Sequence, residues 1–212
     1  MIIIRSVRSS GGNEVEIAND CGEKYRITLA DAKRLGVDDE DNLPVNVDDD
    51  EYVAFLDSKL RAVRYCKYLL GFSDKSAKTL LMKMREKEYS DEVCREALRV
   101  LRESGFLNET DICSSKVKSI AASKLYGPYR IRAYLSQKGF GTDDIEKALD
   151  VCGIDFDEKC LDALCKMAPD NGKMNDPQEL LKIKAKLSRY GFCSESIRYA
   201  VKEYNKNIMR NE

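Results

Sequence analysis

The sequence predicts a mainly α-helical protein: tandem three-helix repeats in an elongated curved array, with a small β-rich element at the N-terminus. Three observations point there. From Asp50 onward apolar residues recur with the 3.6-residue period of amphipathic helices. One pattern of side chains returns twice, at spacings of 51 and 52 residues. Four prolines and twelve glycines in 212 residues are too few for a turn-dense all-β architecture. With 34% charged and 43% hydrophobic residues, the composition is that of a globular chain rather than a disordered one.

The N-terminal element comes first. Ile2–Val7 is rich in β-branched residues and Glu14–Ile17 alternates. Lys24–Thr28 alternates again across an Asn19–Gly22 turn, so these segments read as strands. Ala30–Leu35 reads as a short helix closed by Gly36, and Leu43–Val47 as a last short strand. A two- or three-stranded sheet of this size is marginal alone and is expected to lean on the helical part of the chain.

The helical part is expected to fall into three units, 49–107, 108–153 and 154–212, behind the element 1–48. Each begins with one helix: Tyr52–Leu70 closed by Gly71, Asp111–Leu125 ended by Gly127-Pro128, and Phe156–Ala168. The expected inward stripes are Cys113, Val117, Ile120 and Ala121 on the second of these, and Leu161, Leu164, Cys165 and Ala168 on the third. Asp170–Pro177 is the loop-rich stretch of this region.

The next two helices of each unit carry the repeat. Met84, Leu135 and Leu187 are equivalent. Four residues upstream lie Leu80, Ile131 and Ile183. Downstream come Cys94/Ile145/Ile197, Ala97/Ala148/Ala200, Leu98/Leu149/Val201 and Leu101/Cys152/Tyr204, one helical face written three times. Gly139 and Gly191 are placed to end the middle helix in a left-handed conformation, each followed by an aromatic residue. Asp91, Thr142 and Ser194 read as the N-caps of the third helices. Glu88 stands where the other copies have glycine, and a non-glycine residue at positive φ costs ~1 kcal/mol, so a modified turn is expected there. A unit of about 50 residues buries little apolar surface alone, so neighbours should stack.

Composition excludes several chemistries. Histidine is absent, which removes His-based triads, His-containing zinc sites and the commonest general base. The eight cysteines, at 21, 66, 94, 113, 152, 160, 165 and 193, include no C-x-x-C pair; free thiols in a reducing compartment are expected, six of them on helices as small hydrophobes. The acidic runs Asp38–Asp41 and Asp48–Glu51 do not match a calcium-loop pattern; they read as a solvated linker and the N-terminus of a long helix. No apolar run approaches a membrane span, and no signal peptide is expected. No catalytic site, metal or cofactor is expected.

The charge distribution is informative. Residues 1–58 hold 6 basic and 14 acidic side chains, residues 59–149 hold 19 and 12, and residues 150–212 hold 11 of each. A basic middle suits a polyanion or an acidic partner surface, or is simply a solvated helical face.

The residues then match a known family. Lys75-Ser76-Ala77-Lys78-Thr79-Leu80-Leu81-Met82-Lys83-Met84-Arg85-Glu86-Lys87-Glu88-Tyr89 resembles the S-x-x-x-L-x-x-K-L-x-x-K-G pattern of RecX regulatory proteins. Thr79 stands where Glu is usual and Glu88 where Gly is usual. Gly105-Phe106-Leu107-Asn108-Glu109 resembles the family's link between first and second units. Gly127-Pro128-Tyr129-Arg130-Ile131-Arg132-Ala133-Tyr134-Leu135-Ser136-Gln137-Lys138-Gly139-Phe140 resembles its G-P-x-R-I-R-x-x-L-x-x-K-G-(I/F) core, with Tyr134 where Glu is common. Lys186–Phe192 is a looser third copy, and the resemblance spans roughly residues 50–205.

What the resemblance implies is a modulator and not an enzyme; a cytoplasmic location, from the free thiols, and a monomer are also expected. Such proteins bind the RecA recombinase filament on single-stranded DNA and suppress its strand exchange and ATP hydrolysis; some touch single- or double-stranded DNA weakly. The candidate contacts are the basic residues flanking the middle helices: Lys75, Lys78, Lys83, Lys87, Arg130, Arg132 and Lys138. Each has an alternative reading as a solvated cation or, for Arg130, as a clamp on a neighbouring helix C-terminus. Tyr65, Tyr68, Tyr126, Tyr129 and Tyr134 interleave with them, suited to packing between repeats or to stacking on bases. The alternative function, from the basic middle alone, is a stand-alone helical-repeat nucleic-acid-binding protein.

Overall fold

In the computed structural model, which describes residues 1–168 and 177–211, the first segments form a four-stranded antiparallel sheet. Its strands are β1 (Ile2–Ser9), β2 (Glu14–Asn19), β3 (Lys24–Thr28) and β4 (Val45–Val47), in the order β3-β2-β1-β4. This is one strand more than the smaller sheet expected, because the short β4 pairs with the start of β1, Ile2 opposite Val47. Register between β1 and β2 sets Val7 opposite Ile17, with a bulge between Ile4 and Ser6.

The sheet leans on helix, as its size requires. Helix α1 (Leu29–Leu35) starts at Thr28, whose hydroxyl accepts from the Asp31 amide, and ends at left-handed Gly36. Ile4, Ile17, Ile27, Ala32 and Val37 then share a core with Val53 and Leu56 of α2 (Asp50–Phe72). Each Val, Leu or Ile side chain among them contributes about 1.5–3 kcal/mol when fully buried. Polar contacts fix the docking. Lys59 Nζ lies 3.0 Å from Asp31 Oδ2, the two side chains only 13% and 6% exposed. Asp57 accepts the backbone N–H of Arg26 at 2.8 Å and so occupies a donor on edge strand β3. It also pairs with Arg61 one turn on.

Nine further helices form three triplets among the described residues. The first is α2, α3 (Ala77–Arg85) and α4 (Asp91–Glu103). The second is α5 (Glu109–Lys124), α6 (Pro128–Gln137) and α7 (Thr142–Val151). The third is α8 (Phe156–Met167), α9 (Pro177–Arg189) and α10 (Ser194–Asn211). In each triplet the first helix packs chiefly on the third. The chain forms two compact units, Met1–Leu107 and Asn108–Glu212.

The repeated face is buried in the first two copies and in most of the third, where its last two positions, Val201 and Tyr204, are half-buried. Leu80, Ile131, Ile183, Met84, Leu135, Leu187, Cys94, Ile145, Ile197, Ala97, Ala148 and Ala200 are core residues. On α5 the stripe is Cys113, Val117, Ile120 and Ala121, as read from the sequence. On α8 the stripe is shifted toward Cys160: Cys160, Ala163 and Leu164 are buried with Leu161 and Met167 packed alongside, and Cys165 is exposed. The loop-rich stretch 170–177 lies outside the described residues except for Pro177.

Several local expectations are corrected. Gly71 does not close α2, which runs on to Phe72 and is capped by Ser73. The helices after the repeated turn are capped one residue earlier than expected. Ser90 accepts from the Val93 amide, Gly141 precedes α7 with no side-chain bond, and Cys193 Sγ accepts from the Ser196 amide. The turn uses two residues, the left-handed one and the aromatic, which leaves a single extended residue before the helix. The Glu88 turn is not modified. Glu88 takes φ 62°, as Gly139 takes 84° and Gly191 90°. The same backbone bonds close each turn: Tyr89 to Met84, Phe140 to Leu135 and Phe192 to Leu187. Leu125, which ends α5, is likewise left-handed at φ 53°, and its side chain packs on the core of the third triplet.

Candidate interaction surface

The seven candidate cations fall in two places. Four surround α3 in the first unit. Lys75 precedes it with Nζ 2.6 Å from Ser73 Oγ, and Lys78 is exposed in the first turn, just after the Ser76 cap. Lys83, in the last turn, pairs with Glu86 at 2.7 Å, and that hydrogen bond raises its pKa. Lys87 is exposed in the turn before Glu88.

The other three lie on or at the end of α6 in the second unit, and each has a partner within the protein. Arg130 donates to the Arg189 carbonyl at 3.1 Å, at the C-terminus of α9. Its guanidinium stacks over Tyr126 and Tyr190, with ring centroids 4.1 and 5.3 Å away. It acts as the helix clamp that its alternative reading described. Arg132 points elsewhere, as a two-residue separation on a helix requires. It forms a bidentate pair with Glu146 of α7 at 2.6 and 2.8 Å and lies over Tyr129. The pair raises the Arg132 pKa and holds the Glu146 carboxyl below the usual range. Lys138 remains exposed beside Tyr134, whose ring also faces Lys124 at 4.8 Å.

Backbone contacts determine where α6 sits. The Gly127 amide donates to Tyr190 O at 2.8 Å and the Tyr129 amide to Gly191 O at 3.1 Å. A Cβ on Gly127 would fall less than 3 Å from the Gly191 carbonyl. The G-P-x-R-I-R block therefore builds the joint between second and third triplets, and Tyr126 and Tyr190 meet edge-on across it at 5.9 Å.

The acidic segments serve helix starts. Asp49 caps α2 by accepting from the Tyr52 amide, with Asp50 and Glu51 in the first turn, and Asp39 caps the short turn Glu40–Asn42. An open groove of about 570 Å³ is lined by Asp49, Glu51, Tyr52, Phe55, Glu88 and Glu92 among others. Among the described residues no group of three Cys, Asp or Glu side chains is placed to hold a metal ion. No helix among them is long and apolar enough to cross a membrane.

Two exposed rings were missed by the sequence reading, Phe72 at the end of α2 and Phe106 before the second unit. The signal was there: Val53, Leu56, Leu60 and Val63 set the inward stripe of α2, and Tyr68 and Phe72 fall off it.

No family model matches the chain. A Regulatory protein RecX of Pseudomonas savastanoi pv. phaseolicola is 38% identical over 104 residues, covering 49% of this chain and 66% of that protein. A Regulatory protein RecX of Chlorobium phaeobacteroides is 31% identical over 132 residues, 61% of this chain and 84% of that one. A crystal structure of a regulatory protein RecX matches 95% of this chain and 100% of its own with a TM-score of 0.72; at 18% identity it speaks for the fold. Shared sequence across more than four fifths of the Chlorobium protein, on a fold whose joint is built by the G-P-x-R-I-R block, places this chain in the RecX family of regulatory proteins.

Proposed function

We propose that this protein acts in the cytoplasm as a monomeric regulator, not as a catalyst. It binds the RecA recombinase filament on single-stranded DNA and suppresses recombination and ATP hydrolysis. The observation that supports this reading is the sequence relation to RecX regulatory proteins across the triplets. The repeat divisions 49–107, 108–153 and 154–212 are the units through which it would contact the filament.

The cations divide by role in this reading. Lys75, Lys78, Lys83, Lys87 and Lys138 meet the filament directly, with Lys78 and Lys87 the most available because no ion pair holds them among the described residues. Arg130 and Arg132 act as positioning residues: they hold α6 against α9 and α7, and so set where Lys138 stands. Adding the protein to RecA filaments assembled on single-stranded DNA, with filament length read by electron microscopy, tests this. Shortened filaments are expected; an unchanged length distribution would overturn it.

A further inference from the structure

The last turns of α2 present an aromatic face to solvent. Tyr68 and Phe72, one helical turn apart, are 63% and 70% exposed, with ring centroids 4.8 Å apart at an interplanar angle of 77°. Gly71 shares that face, at i+3 from Tyr68. A Cβ there would meet nothing within 4 Å, and its φ is not positive, so packing does not call for glycine. A glycine within a helix is less favourable than alanine, and one of its uses is to let a ligand approach the backbone closely.

Three cations lie near the face along the chain, with one exposed acid, Asp74, among them. Lys67 immediately precedes Tyr68 and holds Nζ 4.0 Å from the centroid of the Phe106 ring, itself 54% exposed. Lys75 is tied to Ser73 just beyond the helix end, and Lys78 opens α3. An apolar protein segment would use the rings but not three cations. A nucleic-acid duplex offers phosphates but keeps its base faces stacked away. Unstacked bases joined by phosphates answer both features.

We infer that the Tyr68–Gly71–Phe72 face is a base-stacking site for single-stranded nucleic acid, with Lys67, Lys75 and Lys78 meeting the phosphates. It deepens the filament reading, in which single-stranded DNA is at hand, and rests on that reading only for its setting. Its test contains no RecA, so either can fail alone.

The test is fluorescence anisotropy of the full chain with a labelled oligothymidylate and with an abasic oligomer of the same length. Oligothymidylate should bind about tenfold tighter or more, and Tyr68→Ala/Phe72→Ala should abolish the difference. Gly71→Leu should bind oligothymidylate about tenfold more weakly while its melting temperature holds or rises, which separates loss of the site from loss of the fold. Equal binding of the two oligomers, or wild-type affinity in these variants, would overturn the inference.

Discussion

Gly127 and Gly191 meet backbone to backbone: a Cβ on Gly127 would lie less than 3 Å from the Gly191 carbonyl, and one on Gly191, which holds φ 90°, equally close to the Arg130 amide. The joint between the second and third triplets is therefore a contact that admits no side chain. Gly191→Ala meets both a clash and a conformational penalty, and should destabilise the protein by about 2 kcal/mol or more in urea unfolding. Gly105→Ala is the control: it shares the positive φ, at 72°, and a Cβ there meets nothing within 4 Å, so it should lose only the conformational part, about 1 kcal/mol.

Arg130 fastens the same joint from the side. Removing its bond to the Arg189 carbonyl and its stacking on Tyr126 and Tyr190 should cost about 1–2 kcal/mol in Arg130→Ala. Arg130→Lys should recover only part, because an ammonium cannot stack as a planar guanidinium does. Equal stability of the lysine variant and the parent would show that charge alone holds α9 there.

Glu88→Gly should stabilise the protein by about 1 kcal/mol, because the residue keeps the left-handed turn that glycine adopts without strain. A shift of the urea midpoint to higher concentration is the expected readout.

The fold was legible to the extent that burial wrote it into the sequence. The i, i+3, i+4, i+7 stripe ending in a left-handed residue located the last two helices of every triplet, since core packing tolerates few substitutions at Leu80, Leu135 or Leu187. Caps were less legible. Ser90-Asp91, Gly141-Thr142 and Cys193-Ser194 each place a plausible capping residue one position too late. Gly71 misled because glycine so often ends helices, whereas here it lies within one. Of the candidate contacts, Arg130 and Arg132 illustrate the limit: a count of charges does not say whether a guanidinium faces a partner or a neighbouring helix, and distances to Arg189 and Glu146 do.

Cys66, Cys113 and Cys160 lie on the first helix of each triplet, fully buried, and burial pushes each thiol up to about 12. Alkylation and mass spectrometry near neutral pH should find the exposed Cys21 and Cys165 labelled first and these three spared until the protein is unfolded. Their ionisation also sets a pH trend. Folded thiols titrate above the unfolded value of 9.0, so their contribution is complete below about pH 9 and lost as pH rises toward 12. Stability should fall over that window.

The Arg132–Glu146 pair gives the opposite trend. Glu146 is held below its ordinary value of 4.5, so the contribution is present above that pH and is lost as pH falls through the lowered value. Both side chains are over a third exposed, so the effect is small. Arg132→Gln should flatten the acid limb of the stability profile slightly, and an unchanged profile would show that the pair contributes nothing.

The most direct test of filament regulation is RecA ATP turnover on single-stranded DNA, measured while this protein is titrated in at a salt concentration that abolishes its own DNA binding. Turnover should fall at substoichiometric amounts. Turnover that stays constant past equimolar addition, or falls only where this protein coats the DNA, would contradict it.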